Sequence, residues 1–287
     1  MHVGAPDGPL FSRSGPSGLG ETGEWVFDGI AFYLQDASDG HPNDPAHTLD
    51  MVKVTVLGGR WQDGGDVPVG RVRFGDLDRL TPVCSDWGFD RGTPVMRYYI
   101  ERFLSVHAAD VRGAVLEVGD DAYTRRFGGD MVIRRDVLNV AAGHAGTTIL
   151  ADLADAPGIP SGSFDCVICA QTLQLIYNLD AAVRTLYRIL KPGGVLLASV
   201  PGVAPTCGSW RDVTYWKFTP LTVRTLLEDA FGHGSVSAAG YGNAKTAVAA
   251  LHGLVTADLA PADLDHDEPG YEVVVTVRVV KSAASHG

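Results

Sequence analysis

Polar side chains follow four successive strand-like segments in the middle of the chain. Glu117 and Gly119 close the segment VLEVG, Asp136 follows MVIRR, Asp152 closes TTILAD, and Gln171 follows FDCVICA. Because ligands bind at the carboxyl ends of strands in open α/β sheets, we expect these residues to line one cleft. Carboxylates there accept hydrogen bonds from hydroxyl and amino groups and attract cations.

The loop after the first segment disfavours a pyrophosphate. A dinucleotide site needs G-x-G-x-x-G, so that bare backbone approaches the phosphates at a helix N-terminus. Here Gly119 is followed by DDAY, whose bulk and negative charge disfavour NAD and FAD. S-adenosylmethionine fits better, since its ammonium and sulfonium would be attracted by Glu117 and the Asp pair. Alternatively, Asp120 and Asp121 merely cap the following helix.

Three further residues are assigned to the adenosine part of such a ligand. The distance from Gly119 to Asp136 suits a carboxylate that accepts both ribose hydroxyls. Asp152 would accept from an adenine amino group, with Leu153 as a ring contact. Gln171 would form the third side of the cleft, although a solvated turn would also use a glutamine.

Candidates for the reacting end are less specific. Arg91 and Tyr99, in FDRGTPVMRYYIE, are expected to reach over the methionine end of the cofactor, although Tyr on a packed helix is more often a core residue. His252 is the favoured general base, because the late insertion that carries it could roof the cleft. A lone histidine is more often structural or on the surface.

The pair Cys166 and Cys169 has C-x-x-C spacing, which can indicate zinc or redox chemistry. In the apolar strand pattern FDCVICA, positions three apart point to opposite faces. We therefore expect two core thiols in a reducing cytoplasm and no metal site.

The chain changes pattern near residue 80. Residues 1–24 are rich in Gly, Ser and Pro and are expected to be a flexible lead-in, and the runs at 24–34 and 50–61 are strand-like and could form a small β-hairpin. From about residue 81, strands alternate with amphipathic helices, which predicts an α/β domain with a sheet covered on both faces. We expect an extension over 1–80 and the main domain over 81–287.

The composition narrows the classes of possible binding partner. A formal charge of −11 disfavours nucleic acid, whose binders carry a clustered basic face. No apolar run reaches the length of a membrane span, and no basic start with an apolar core suggests export. We expect a cytoplasmic protein that does not bind membranes. Its oligomeric state stays open, with a homodimer included.

The segments VLEVG, MVIRRD, ILADLADAPGIPSGSFDCVICAQTLQLIYN and LYRILKPGGVLLASVPG, in that order, resemble the class I S-adenosylmethionine-dependent methyltransferases over about residues 81–287. WGFDRGTPVMRYYIERFL and YWKFTP are similar to a bacterial subgroup associated with sugar or natural-product modification. The resemblance implies a Rossmann-like, doubly wound seven-stranded sheet with the last strand antiparallel.

Two departures from the family pattern bear on activity. The glycines of the usual G-x-G-x-G are reduced to Gly119, and Met96 stands where relatives are expected to carry Asp. We expect methyl transfer to a hydroxyl of a small molecule, a sugar or secondary metabolite. Alternatives are N- or C-methylation, a catalytically silent methyltransferase-like subunit that binds a partner, and an NAD-dependent oxidoreductase.

Overall fold

The computed structural model describes residue 67 and residues 69–282. The chain divides after Val72, and the unit that begins at Arg73 carries the fold. The strands predicted at residues 24–34 and 50–61, and with them the N-terminal β extension, lie outside the described residues. The expected domain boundary at residue 80 stays a prediction.

Seven strands form one sheet in the order β3-β2-β1-β4-β5-β7-β6. The strands β1 to β5 run parallel, whereas β7 pairs antiparallel with both β5 and β6. The predicted seven-stranded sheet with an antiparallel last strand is confirmed. The strands are β1 Gly113–Val118, β2 Val132–Asn139, β3 Ile149–Leu150, β4 Phe164–Ala170, β5 Leu190–Pro201, β6 Val236–Tyr241 and β7 Val274–Val280.

Helices bury their apolar stripes on both faces of this sheet, which confirms the doubly wound α/β class. The second and third helices contribute to one core cluster, and the first, fourth and fifth contribute to the other. Within the described residues, no helix combines the length and apolarity that crossing a membrane requires. The helices are α1 Val95–Val106, α2 Leu179–Ile189, α3 Pro220–Phe231, α4 Ala244–Leu251 and α5 Pro261–Asp265.

The cysteines of the CVIC motif lie on opposite faces of β4, as predicted. Cys166 belongs to the core cluster beneath α1, and Cys169 to the cluster beneath α2. Both are fully buried, and burial raises the pKa of both thiols, that of Cys169 to about 12. Since their side chains face opposite layers, the two sulfurs cannot bind one metal ion.

The insertion between β6 and β7 packs against the segment that precedes α1. The backbone N–H groups of Val83 and Cys84 donate to the carbonyl of His252, at 2.9 and 3.1 Å. The guanidinium of Arg91 donates to both carboxylate oxygens of Asp258 at 3.2 Å. The insertion therefore fixes the position of the segment before α1 from one side.

Candidate functional site

A cavity of about 310 Å³ opens at the carboxyl ends of β1 and β4. This is the edge of the sheet where the sequence predicts a cleft. Its lining comes from the segment before α1, the first turns of α1, the end of β1 with the following loop, and the residues after β4. The lining residues are Trp87, Phe89, Pro94, Met96, Arg97, Ile100, Glu117, Val118, Gly119, Asp120, Tyr123, Ala170 and Gln171.

Glu117 is the buried carboxylate of this cavity, with 2% of its surface exposed. One oxygen accepts from the backbone N–H of Tyr123 at 3.1 Å, and the other accepts from the N–H and hydroxyl of Thr124, both at 2.7 Å. Burial raises the pKa of Glu117 to about 7, although these hydrogen bonds lower it. The side chain thus holds the loop after β1 and also presents a titratable group to the cavity.

Gly119 gives the loop its bare backbone. Its φ of +101° lies in the region that favours glycine, and a Cβ added there would meet nothing within 4 Å. The space beside Gly119 is open to a ligand, and its carbonyl accepts from the side chain of Asn139 at 2.9 Å. A single glycine therefore leaves room at the point where the family motif usually has three.

Gln171 and Trp87 line the cavity in the left-handed backbone region, with φ of +48° and +51°. They are the two non-glycine residues with positive φ in the described part of the chain. The Gln171 conformation is held by its N–H, which donates to the Ser199 carbonyl at 2.8 Å, and by its carbonyl, which accepts from Gln174 Nε2 at 2.8 Å. Backbone strain of this kind clusters at ligand sites.

The cavity carries charges of both signs. Glu117 and Asp120 are acidic, and Arg97 is a partly exposed cation whose Nε donates to Glu101 at 3.2 Å. The rest of the lining is largely aromatic or aliphatic. Such a cavity is complementary to a zwitterion that also carries apolar or aromatic parts.

Asp136 does not lie at the end of its strand, contrary to the prediction. Strand β2 continues to Asn139, and Asp136 pairs in register with Leu116 in mid-strand. Its carboxylate accepts from the Thr148 hydroxyl at 2.9 Å and pairs with Arg134 at 2.8 Å. Asn139 occupies the strand end, and neither it nor Asp136 is among the residues that line the cavity.

The residues predicted after β3 are also not among the cavity lining. Asp152 is exposed and accepts from the N–H of Ala154 at 2.8 Å. Leu153 is buried in the core beneath α2, so it is not an exposed ring contact. Strand β3 is only two residues long, Ile149–Leu150, and the chain turns into the core directly after it.

Three predicted residues at the reacting end lie elsewhere. Tyr99 is fully buried and packs between Tyr98 and Tyr241. Arg91 points to Asp258 in the late insertion. His252 lies at the end of α4 and lines a separate depression with Phe74 and residues 77–80, so it is not positioned as a base for the cavity.

The sequence reasoning misses Trp87, Phe89, Arg97 and Tyr123. The first two lie in WGFDRG, where aromatic residues alternate with glycines outside any helix or strand. The glycines mark a loop, and binding residues lie disproportionately on loops. The acidic net charge of the chain gives no indication that Arg97 is a cation in the cavity lining. Of the residues predicted for the cofactor, the cavity brings together Glu117, Gly119, Gln171 and the first of the Asp pair, Asp120.

The part of the chain that contributes most of this lining is similar to known proteins. Residues 95–198 match the model of a methyltransferase domain family. The ubiquinone/menaquinone biosynthesis C-methyltransferase UbiE of Pseudomonas putida is 35% identical over 127 residues, which cover 42% of this chain and 43% of that protein. The corresponding Pseudomonas fluorescens protein is 32% identical over the same extent. The chain thus spans less than half the length of these curated relatives.

Among solved structures, the chain also matches a SAM dependent methyltransferase from Archaeoglobus fulgidus. It is 13% identical, with a TM-score of 0.45, over 65% of this chain and 94% of that chain.

Glu117→Gln is expected to change how stability depends on pH. The folded-state pKa of about 7 lies above the ordinary value of 4.5, so the folded protein binds this proton more tightly than the unfolded chain does. Its contribution to stability is present at low pH and is lost as pH rises from 4.5 to about 7. Urea denaturation should show the free energy of unfolding of the wild type, relative to the variant, falling across this range.

Thr124→Val sharpens the test, because it removes one donor to the Glu117 carboxylate. The loss of a hydrogen bond to the charged form should move the midpoint of that fall to higher pH. A wild-type-minus-Gln difference that stays constant with pH would contradict the assignment of a raised pKa to Glu117.

Proposed function

We propose that this protein is a class I S-adenosylmethionine-dependent methyltransferase. One observation carries the proposal. The methyltransferase-domain match over residues 95–198 contains the ends of β1 and β4, where the cavity with charges of both signs opens. The strand order, with an antiparallel strand inserted beside β5, supports the same reading. Because the curated relatives are matched over less than half their length, the activity of the whole chain is a proposal.

The cavity fits the amino-acid end of S-adenosylmethionine. Arg97 is the cation that would bind the carboxylate, and Glu117 and Asp120 would attract the ammonium and sulfonium. Gly119 offers unobstructed backbone beside them. The negative charges of Glu117 and Asp120 would repel a pyrophosphate, which disfavours NAD.

We assign the ribose to Asn139 in place of Asp136. Asn139 ends β2, and its Nδ2 donates to the Gly119 carbonyl and to the Thr147 hydroxyl, each at 2.9 Å. This orientation leaves Oδ1 as the acceptor for a ribose hydroxyl. Asp152, exposed after β3, stays the proposed acceptor for the adenine amino group.

Methyl transfer is an in-line displacement. The acceptor lone pair forms a bond to the methyl carbon as the S–CH₃ bond breaks, and the electron pair stays on sulfur, which gives S-adenosylhomocysteine. The protein mainly has to align the acceptor and exclude water, a contribution of roughly 7–11 kcal/mol. A hydroxyl acceptor also releases a proton. The candidate bases in the cavity lining are the carboxylates of Glu117 and Asp120, whereas His252 lies at the end of α4 and is not among the lining residues.

For the acceptor, we retain a hydroxyl of a sugar or secondary metabolite as the first candidate. The subgroup resemblance of WGFDRGTPVMRYYIERFL and YWKFTP supports it. C-methylation is the second candidate, because the curated relatives are named as C-methyltransferases. Product analysis by mass spectrometry and NMR distinguishes a methyl ether from a new C–CH₃ group.

Calorimetric titration with S-adenosylmethionine, S-adenosylhomocysteine and NAD is the primary test. We expect micromolar binding of the first two and no binding of NAD, because phosphates would meet Asp120. Binding of NAD alone would replace the proposal by an oxidoreductase. Binding of none of the three would favour a silent methyltransferase-like subunit.

Arg97→Ala is expected to weaken the binding of S-adenosylhomocysteine by about tenfold or more, equivalent to about 1.4 kcal/mol. Methylthioadenosine, which lacks the amino-acid carboxylate, should bind wild type and variant equally in calorimetry. Arg224→Ala, an exposed arginine on α3, is the matched control. An equal loss for both ligands would show that Arg97 supports the fold and does not bind the carboxylate.

Asn139→Ala and Asp136→Ala discriminate between the two ribose assignments. The Asn139 variant should lose about tenfold or more in affinity for S-adenosylhomocysteine, because its Oδ1 is the proposed acceptor. The Asp136 variant should bind nearly as the wild type does, since its carboxylate is bound to Thr148 and Arg134. The reverse order in calorimetry would return the ribose to Asp136.

A further inference from the structure

We propose that Tyr177, Tyr215 and Trp216 form the platform on which the ring of the methyl acceptor lies, and that this ring is a neutral, hydroxylated, saturated ring such as a pyranose. The inference rests on the proposed methyltransferase function. It adds a binding surface and a chemical class for the acceptor.

The three side chains form one exposed aromatic cluster. The ring of Tyr177 stacks on Trp216, with centroids 5.9 Å apart and planes at 25°, and meets the edge of Tyr215 at 5.4 Å. Tyr177 is 72% exposed, Tyr215 55% and Trp216 36%. Aromatic residues normally bury most of their surface, so three exposed rings in mutual contact indicate a binding surface.

Hydrogen bonds fix the Trp216 ring and the backbone of Tyr215, although both side chains are exposed. The indole N–H of Trp216 donates to the Ile176 carbonyl at 2.9 Å. The N–H groups of Tyr215 and Trp216 donate to the Gln174 carbonyl at 2.8 and 3.3 Å. This part of the platform is therefore preorganised, which lowers the entropic cost of binding a ring.

Gln174 connects the platform to the cofactor cavity. Its backbone carbonyl holds Tyr215 and Trp216, and its Nε2 donates to the carbonyl of the cavity residue Gln171. The Oε1 of Gln174 is buried and has no hydrogen-bond partner in the described part of the chain. Hydrogen bonds through Gln174 thus connect the platform to Gln171 in the cavity lining.

The exposure of the platform favours a sugar over a planar aromatic ring. An apolar aromatic ligand gains most in an enclosed slot, where both of its faces leave water. A pyranose has a C–H face that packs on an aromatic ring, while its hydroxyls stay hydrated on the other side. The described cluster is a single open surface and matches the second case.

The test uses saturation-transfer difference NMR on the full chain with methyl glucoside, methyl galactoside and methyl rhamnoside at millimolar concentration, each with and without S-adenosylhomocysteine. We expect saturation of the ring C–H protons, and at least a severalfold loss of signal in Tyr177→Ala. Phe74→Ala, which removes another exposed aromatic ring, is the matched control and should keep the signal. Because the Tyr177 side chain is mostly exposed, its truncation should leave the fold and the calorimetric affinity for S-adenosylhomocysteine unchanged.

Three results would overturn the proposal. They are no saturation of any glycoside, saturation that Tyr177→Ala does not reduce, and Tyr177-dependent saturation of catechol or hydroquinone but not of glycosides. The first two results would show that the cluster is not a platform for a sugar ring. The third would show that it binds planar rings instead. Failure of the methyltransferase proposal is separate, because it appears as absence of calorimetric binding of S-adenosylhomocysteine to the wild type.

Discussion

The carboxylate of Glu117, buried near the end of strand β1, fixes the loop on which one part of the cavity lining depends. By accepting from the N–H groups of Tyr123 and Thr124, it folds the loop after β1 back over the strand end. This return brings Gly119, Asp120 and Tyr123 to one side of the cavity. An uncharged side chain would accept fewer hydrogen bonds there, whereas the carboxylate incurs a desolvation cost that raises its pKa.

A second support comes from the segment before α1. The insertion between β6 and β7 holds the segment that carries Trp87 and Phe89 through backbone bonds from Val83 and Cys84 to His252. A cavity lined by residues far apart in the chain therefore depends on two independent attachments. The late insertion holds the segment before α1, and none of its described residues lines the cavity.

The sheet and its covering helices are predictable because each depends on a local period of apolar residues. Glu117, Gly119 and Gln171 line one cavity because they lie at the carboxyl ends of β1 and β4, which the strand pattern also indicates, and their binding roles stay predictions. The position of Asp136 could not be predicted, because its partners Thr148 and Arg134 let a carboxylate lie within a strand. The position of His252 depends on how the insertion docks, which no local pattern records.

The placement of Cys166 and Cys169 has a practical consequence for studying how this protein opens. Each thiol is enclosed in a different core layer, and the raised pKa values leave little thiolate to react. A thiol reagent can label either cysteine only when the corresponding layer separates from the sheet. Comparing the two labelling rates, residue by residue, would reveal whether the layers on the two faces of the sheet detach together or one at a time.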